Sequence, residues 1–86
     1  MIKLNDKVTY RKIEDSILII TPWDNAMHTL EDIGKLIFEA LIDAKEKGDI
    51  LQEILDNYDV ELVEAKNDLE QFIDSLIEKE IFIEEE

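Results

Sequence analysis

Apart from its carboxylates, this 86-residue chain has few of the side chains that most often carry out chemistry. The chain has one histidine, His28, and no cysteine, which excludes thiolate nucleophiles, disulfides and thiolate metal sites. A single histidine does not build a histidine-based metal centre by itself. His28 also stands in no pattern of serine, cysteine or aspartate that would make it a general base. These residue types argue against an enzyme.

The carboxylates are numerous, but their spacing favours solvated surfaces over a site. Nine basic and 23 acidic residues give a net charge of −14. Asp56 and Asp59 lack the glycine and the alternating oxygen ligands of a calcium loop. Gly34 and Gly48 are too isolated to form a phosphate-binding loop. We therefore expect no metal and no cofactor, and the charge indicates either simple solubility or steering towards a basic partner.

The chain is predicted to form one domain, residues 1–86, with strands first and helices after. Alternating or β-branched runs predict strands over 8–13, 17–20 and 26–28, and Pro22 ends the second of them. A last short strand is expected over 81–83. A short strand between a turn and a helix, such as 26–28, is expected at a sheet edge.

Helical spacing of apolar residues begins near Thr29, which is expected to cap the first helix together with Asp32. Gly48 is expected to end that helix, and a short second helix is expected from Asp49. A third helix is predicted over 61–79. Its expected core stripe consists of Leu62, Ala65, Leu69, Phe72, Ile73 and Leu76.

This order predicts an α+β fold, a winged helix-turn-helix with a three-stranded N-terminal antiparallel sheet packed on three helices. A DNA-reading third helix is usually basic, whereas this one is mainly acidic, so we expect no nucleic-acid binding. The negative charge also disfavours anionic membrane surfaces, and no apolar run is long enough to cross a bilayer. Without a secretory signal, a cytoplasmic location is expected.

Three segments follow one another in a distinctive order: Leu30 to Phe38, Ile50 to Val60, and Asp68 to Leu76. The most distinctive piece is Tyr-Asp-Val at the end of the second segment, followed by Asp-Leu-x-x-Phe-Ile-x-x-Leu. In this order and spacing, the segments resemble the PqqD family, and the similarity runs over about residues 8–83. The first segment begins Leu-Glu, where the family often has Leu-Asn.

The resemblance implies a RiPP recognition element, a domain without catalytic activity that binds the leader segment of a ribosomally made precursor peptide. In that family the leader adds as a strand beside the third strand, and the domain presents it to a modifying enzyme, often a radical SAM protein. An unpaired strand edge also leaves room for a homodimer. The alternative is an acidic winged-helix regulatory module that contacts protein and not DNA.

The resemblance implies a cleft between the third strand and the third helix. The strand residues expected to bind peptide are Asn25, Ala26, Met27, His28 and Thr29. On a helical wheel, the expected helix wall consists of Val63, Lys66, Glu70, Ile73 and Ile77, with Asn67 and Asp74 at the rim. Asp68 is expected on the opposite shoulder, away from the peptide.

Overall fold

The computed structural model describes residues 2–85, which form five strands and three helices. The elements are β1 (Ile2–Leu4), β2 (Thr9–Ile13), β3 (Ser16–Thr21), β4 (Ala26–Leu30), α1 (Asp32–Ile42), α2 (Lys47–Asn57), α3 (Leu62–Glu78) and β5 (Phe82–Glu84). The predicted α+β class and the three helices are confirmed. The single sheet is not, because β2-β3-β4 and β1-β5 form two separate antiparallel sheets. The described part of the chain has no helix long and apolar enough to span a bilayer.

The three-stranded sheet has one packed face and one solvent face. Ile19 of β3 is completely buried, and the register places it between Tyr10 of β2 and His28 of β4. Because side chains alternate along a strand, the next residue, Ile20, points outward. Ile20 is paired with Met27 of β4, and these two side chains remain 39% and 66% exposed. Within residues 2–85, the outer face of this sheet is therefore not covered by a further layer.

Aromatic rings join the two sheets through α1. Phe38 of α1 is fully buried, with Tyr10 of β2 on one side and Phe82 of β5 on the other. The ring centroids lie 5.1 Å and 5.5 Å apart, both in edge-to-face geometry. This geometry is the favourable one for aromatic rings and adds to the burial of apolar area. Phe38 is thus the centre of the core.

The helix ends differ from those predicted. Thr29 lies inside β4, and α1 begins at Asp32 without a side-chain cap, so the Thr29–Asp32 capping pair is wrong. Gly48 lies inside α2, and Ala44 takes the left-handed position after α1 with φ of 60°. The amides of Ala44 and Lys45 then bond the carbonyls of Leu41 and Ala40, which closes the helix without a glycine.

The second sheet brings the two ends of the chain together. β5 confirms the predicted last strand, while its partner β1 was not predicted. Lys3 pairs with Ile83, and the side-chain amide of Asn5 donates to the carbonyl of Glu80 at 2.9 Å. β5 was recognised from the apolar run Ile81-Phe82-Ile83, whereas β1 offers only Ile2 and Leu4 around a lysine, and its partner is distant in sequence.

Helix α3 buries a narrower stripe than predicted. Ala65, Leu69, Ile73 and Leu76 are buried, as expected from their spacing. Leu62 is 56% exposed, because the first turn of the helix projects beyond the core, so its core assignment is wrong. Ile73 is completely buried and forms part of the core, not the surface wall assigned to it.

Candidate functional site

The sheet β2-β3-β4 has two edges, and the hollows that include residues of β2 and of β4 among the described residues differ in size. Beside the inner face of β2 is a crevice of about 70 Å³, lined partly by Tyr10 and Phe38. Beside β4 is an open groove of about 380 Å³. β4 is hydrogen-bonded to β3 alone within the described sheets, so its other edge is available for pairing. An available edge next to an apolar groove is the geometry used for peptide strand addition.

The groove lies between the end of β4, the first turns of α1 and the middle of α3. Its lining residues are Thr29, Leu30, Glu31, Ile33, Gly34, Ile37, Asp68 and Phe72. The aliphatic members and the Phe72 ring form an apolar floor, and both ionisable members, Glu31 and Asp68, are acidic. The groove forms because α3 packs mainly against α2 and β5, leaving space between α3 and β4.

Gly34 and Phe72 set the width of this groove. A Cβ added to Gly34 would lie 3.3 Å from Cζ of Phe72 and 3.8 Å from Cδ2 of Leu30. The first separation is tighter than ordinary van der Waals contact, so a side chain at this position would push the ring outward. The absence of a Cβ therefore lets the Phe72 ring rest directly on α1.

The residues predicted as the α3 wall lie on the other side of the helix from this groove. With 3.6 residues per turn, Asp68 and Phe72 share a face, while Val63, Glu70 and Asp74 are centred on nearly the opposite face. Val63 is 72% exposed. The remaining wall and rim residues, Lys66, Asn67 and Ile77, are also turned away from the groove, and Ile77 packs against the core.

Asp68 was expected on the shoulder away from the peptide, whereas it lines the groove. A helical wheel gives relative positions on α3 but not how the helix is rolled about its axis, so it could not indicate which face borders β4; which residues contact peptide stays a prediction. The spacing Asp68-x-x-x-Phe72, part of the family-like segment, was the sequence signal for this face. Leu30, Ile33 and Gly34 are not among the predicted site residues, although Leu30 ends β4 and the other two lie in the first turn of α1.

The predicted strand residues are brought together as an edge strand. Ala26, Met27, His28 and Thr29 lie in β4, whereas Asn25 lies in the preceding turn with a left-handed φ of 52°. Asparagine tolerates this conformation, which gives Asn25 a backbone role in the turn. Burial alternates along β4, so Met27 and Thr29 face outward and His28 faces inward. Of these side chains, only Thr29 reaches the groove lining.

A polar network fixes the turn that precedes β4. The hydroxyl of Thr21, a buried residue, donates to Oδ1 of Asp24, which also accepts the backbone N–H of Ala26 at 3.1 Å. Nε2 of His28 lies 3.4 Å from the same hydroxyl. The hydrogen bond from Thr21 is the main cause that lowers the pKa of Asp24. The bond from Ala26 and the nearby His28 lower it further, and burial opposes these effects in part. Through Asp24, this network joins Thr21 of β3 to the first residue of β4.

The arrangement is suited to binding an extended chain. Within residues 2–85, no three metal-ligating side chains converge as they would around an ion. The backbone of β4 offers ladder bonds that require no particular side chain in the partner, and the groove offers an apolar pocket for alternate side chains. A free strand edge beside an apolar groove suits an extended peptide that carries an apolar side chain.

Two solved structures share the fold of this chain. The chain resembles a solved structure described as "TbiB1 in Complex with the TbiA(beta) Leader Peptide", at 24% identity and a TM-score of 0.88, over 98% of both chains. It also resembles "Lasso peptide synthetase B1 complexed with the leader peptide", at 20% identity and a TM-score of 0.87, over 96% of this chain and 98% of that one. No curated protein matches the chain significantly.

At these identities, the two structural matches establish a shared fold. The family model for coenzyme PQQ synthesis protein D matches residues 14–81, which is most of the chain and includes β4, α1 and α3. The chain therefore belongs to the PqqD family.

Proposed function

We propose that this protein is a carrier that binds the leader segment of a ribosomally made precursor peptide and does no chemistry on it. The leader adds as a strand along the edge of β4 and lays one side chain into the groove against Phe72. The observation that carries the proposal is the free edge of β4 beside an apolar groove. Family membership and the leader-peptide complexes among the structural matches support it.

The peptide-binding residues of this proposal combine predicted and newly assigned positions. From β4 we keep Ala26 to Thr29, whose contribution is mainly through the backbone. On α3 we replace the predicted wall by Asp68 and Phe72, because those side chains line the groove. Asn25 keeps its place only as the turn residue before the strand.

We also propose the kind of enzyme to which the bound leader is presented. A carrier of this kind presents its peptide to a modifying enzyme, for which a radical SAM protein is the candidate that the family suggests. We place this exchange in the cytoplasm.

The α2–α3 pair is proposed to be a helix-turn-helix adapted to peptide binding, and pairing of two β4 edges is the proposed route to a homodimer in the absence of leader.

The experiment is amide chemical-shift mapping of the labelled protein with the leader of a precursor encoded beside its gene. We expect the largest shifts in β4 and at Asp68 and Phe72, with a cross-peak pattern between β4 and the peptide typical of strand pairing. Shifts confined to α2 and the outer side of α3 would contradict the proposal. A peptide of the same composition in scrambled order is the control.

A further inference from the structure

Resting on the proposed function, we infer that the leader recognised by this groove carries an apolar residue followed at alternate positions by two basic residues. The pattern is apolar-x-basic-x-basic, read in either chain direction. It follows from the spacing of three α3 side chains and from the charges that remain unpaired around the groove.

The three side chains form a row along one face of α3. Glu64, Asp68 and Phe72 are separated by four residues each, which places them one above the other on the helix. Asp68 and Phe72 line the groove, and Glu64 is exposed one turn nearer the N-terminus of the helix. The row therefore changes from an aromatic ring at one end to carboxylates at the other.

These carboxylates are available for pairing with a ligand. The ion pairs within residues 2–85 are Lys3–Glu85, Lys12–Glu39 and Lys45–Glu53. None of them involves Glu31, Glu64 or Asp68, and no lysine or arginine lines the groove. An anionic leader would meet uncompensated negative charge here, whereas basic side chains complement it.

The row and an extended peptide also share a repeat distance. Residues four apart on a helix are separated by about 6 Å along its axis. Side chains on one face of a strand are separated by about 6.6 to 6.8 Å. The inferred leader strand runs alongside α3, so that its successive same-face residues lie opposite Phe72 and Asp68 in the groove and then opposite Glu64, one helical turn beyond it. The apolar residue belongs opposite Phe72 and the basic residues opposite the two carboxylates.

A selection from a library of random peptides tests this pattern on the full chain. The wild type is compared with a row variant, Glu64→Gln with Asp68→Asn, and with a control variant, Glu70→Gln with Asp74→Asn. Both variants remove two negative charges, but Glu70 and Asp74 lie on the other side of α3. The control therefore accounts for attraction of basic peptides by the net charge alone.

We expect the wild type and the control variant to enrich apolar-x-basic-x-basic peptides. The row variant should keep the apolar preference and lose the spaced basic residues. A synthetic peptide from the wild-type selection should bind the row variant about tenfold more weakly at low salt, since two exposed ion pairs are lost. High salt should reduce that difference, because exposed pairs are screened.

Two results would overturn the inference. If the row variant enriches the same spaced basic residues, or if basic residues appear without fixed spacing, the charge pattern is wrong while leader binding in the groove stands. If no peptide is enriched by any of the three proteins, the proposed peptide-binding function itself is contradicted. The preference for basic residues is checked independently by measuring the affinities of one acidic and one neutral peptide with the same apolar residue, both of which should bind more weakly than the basic peptide.

Discussion

The ring of Phe72 on α3 rests against the backbone of Gly34 on α1, close enough that a Cβ on Gly34 would lie 3.3 Å from Cζ of the ring. This contact joins the two helices at the floor of the groove. Phe72 is half-buried and lines the groove, so a shift of the ring changes the shape of the groove floor.

Gly34→Ala should therefore separate stability from binding. Alanine favours a helix over glycine by about 1 kcal/mol, which offsets the cost of moving the ring, so stability should change by less than about 1 kcal/mol. Leader affinity should fall several-fold, as measured by calorimetry. Gly48→Ala is the control, because its Cβ meets nothing within 4 Å and it lies far from the groove in α2. Equal affinities for both variants would exclude a role for this contact.

The two sides of α3 are distinguished by Phe72→Ala and Val63→Asp. Phe72→Ala should weaken leader binding tenfold or more, because the apolar floor is lost. Val63→Asp should change affinity less than about twofold and stability less than about 0.5 kcal/mol, since Val63 is exposed on the far side. Fluorescence anisotropy with a labelled leader measures both. A strong effect of Val63→Asp alone would restore the predicted wall.

Proline substitutions along β4 test backbone pairing. Successive residues of a strand direct their N–H groups to opposite sides, so Met27 and His28 differ in which neighbour they bond. Of the two variants Met27→Pro and His28→Pro, one removes an N–H that bonds to β3, and that variant should be less stable. The other should stay folded and bind leader weakly, because it loses the donor at the free edge. Thermal unfolding and binding are measured on both, with Met27→Ala and His28→Ala as controls that keep the N–H and should bind normally.

The lowered pKa of Asp24 predicts a pH effect with a definite sign. Because the folded pKa lies below its usual value of 3.8, the charged carboxylate contributes stability above that value. The contribution is lost as the pH falls through the folded pKa. Thr21→Val removes the first cause of the shift, so carbon-detected NMR titration should give Asp24 a higher pKa in that variant. An unchanged titration would show that the hydroxyl does not hold this carboxylate.

Phe38→Ala should cost about 3 to 5 kcal/mol, because it removes a fully buried ring that packs against Tyr10 and Phe82. For a domain of this size, such a loss is a large part of the total stability. Urea unfolding measures it. Phe38→Leu keeps most of the volume and should cost clearly less; equal costs would mean that the edge-to-face geometry dominates over the cavity.

Several features followed from local sequence. The strands of the main sheet and the three helices were recognised because apolar residues repeat with the period of each element. Pro22 marked the end of β3 because proline lacks the N–H that a ladder needs. The lack of cysteine and the single histidine restricted the chemistry independently of any fold.

Other features depended on residues far apart in the chain. The pairing of β1 with β5 joins Ile2 to Glu84, and a three-residue strand contains no period to reveal it. The sequence by itself determined which side chains share a face of α3, since that depends on the helical repeat alone. Only the tertiary structure decided that the Asp68–Phe72 face borders β4, because the roll of a helix about its axis is set by its packing against α2 and β5.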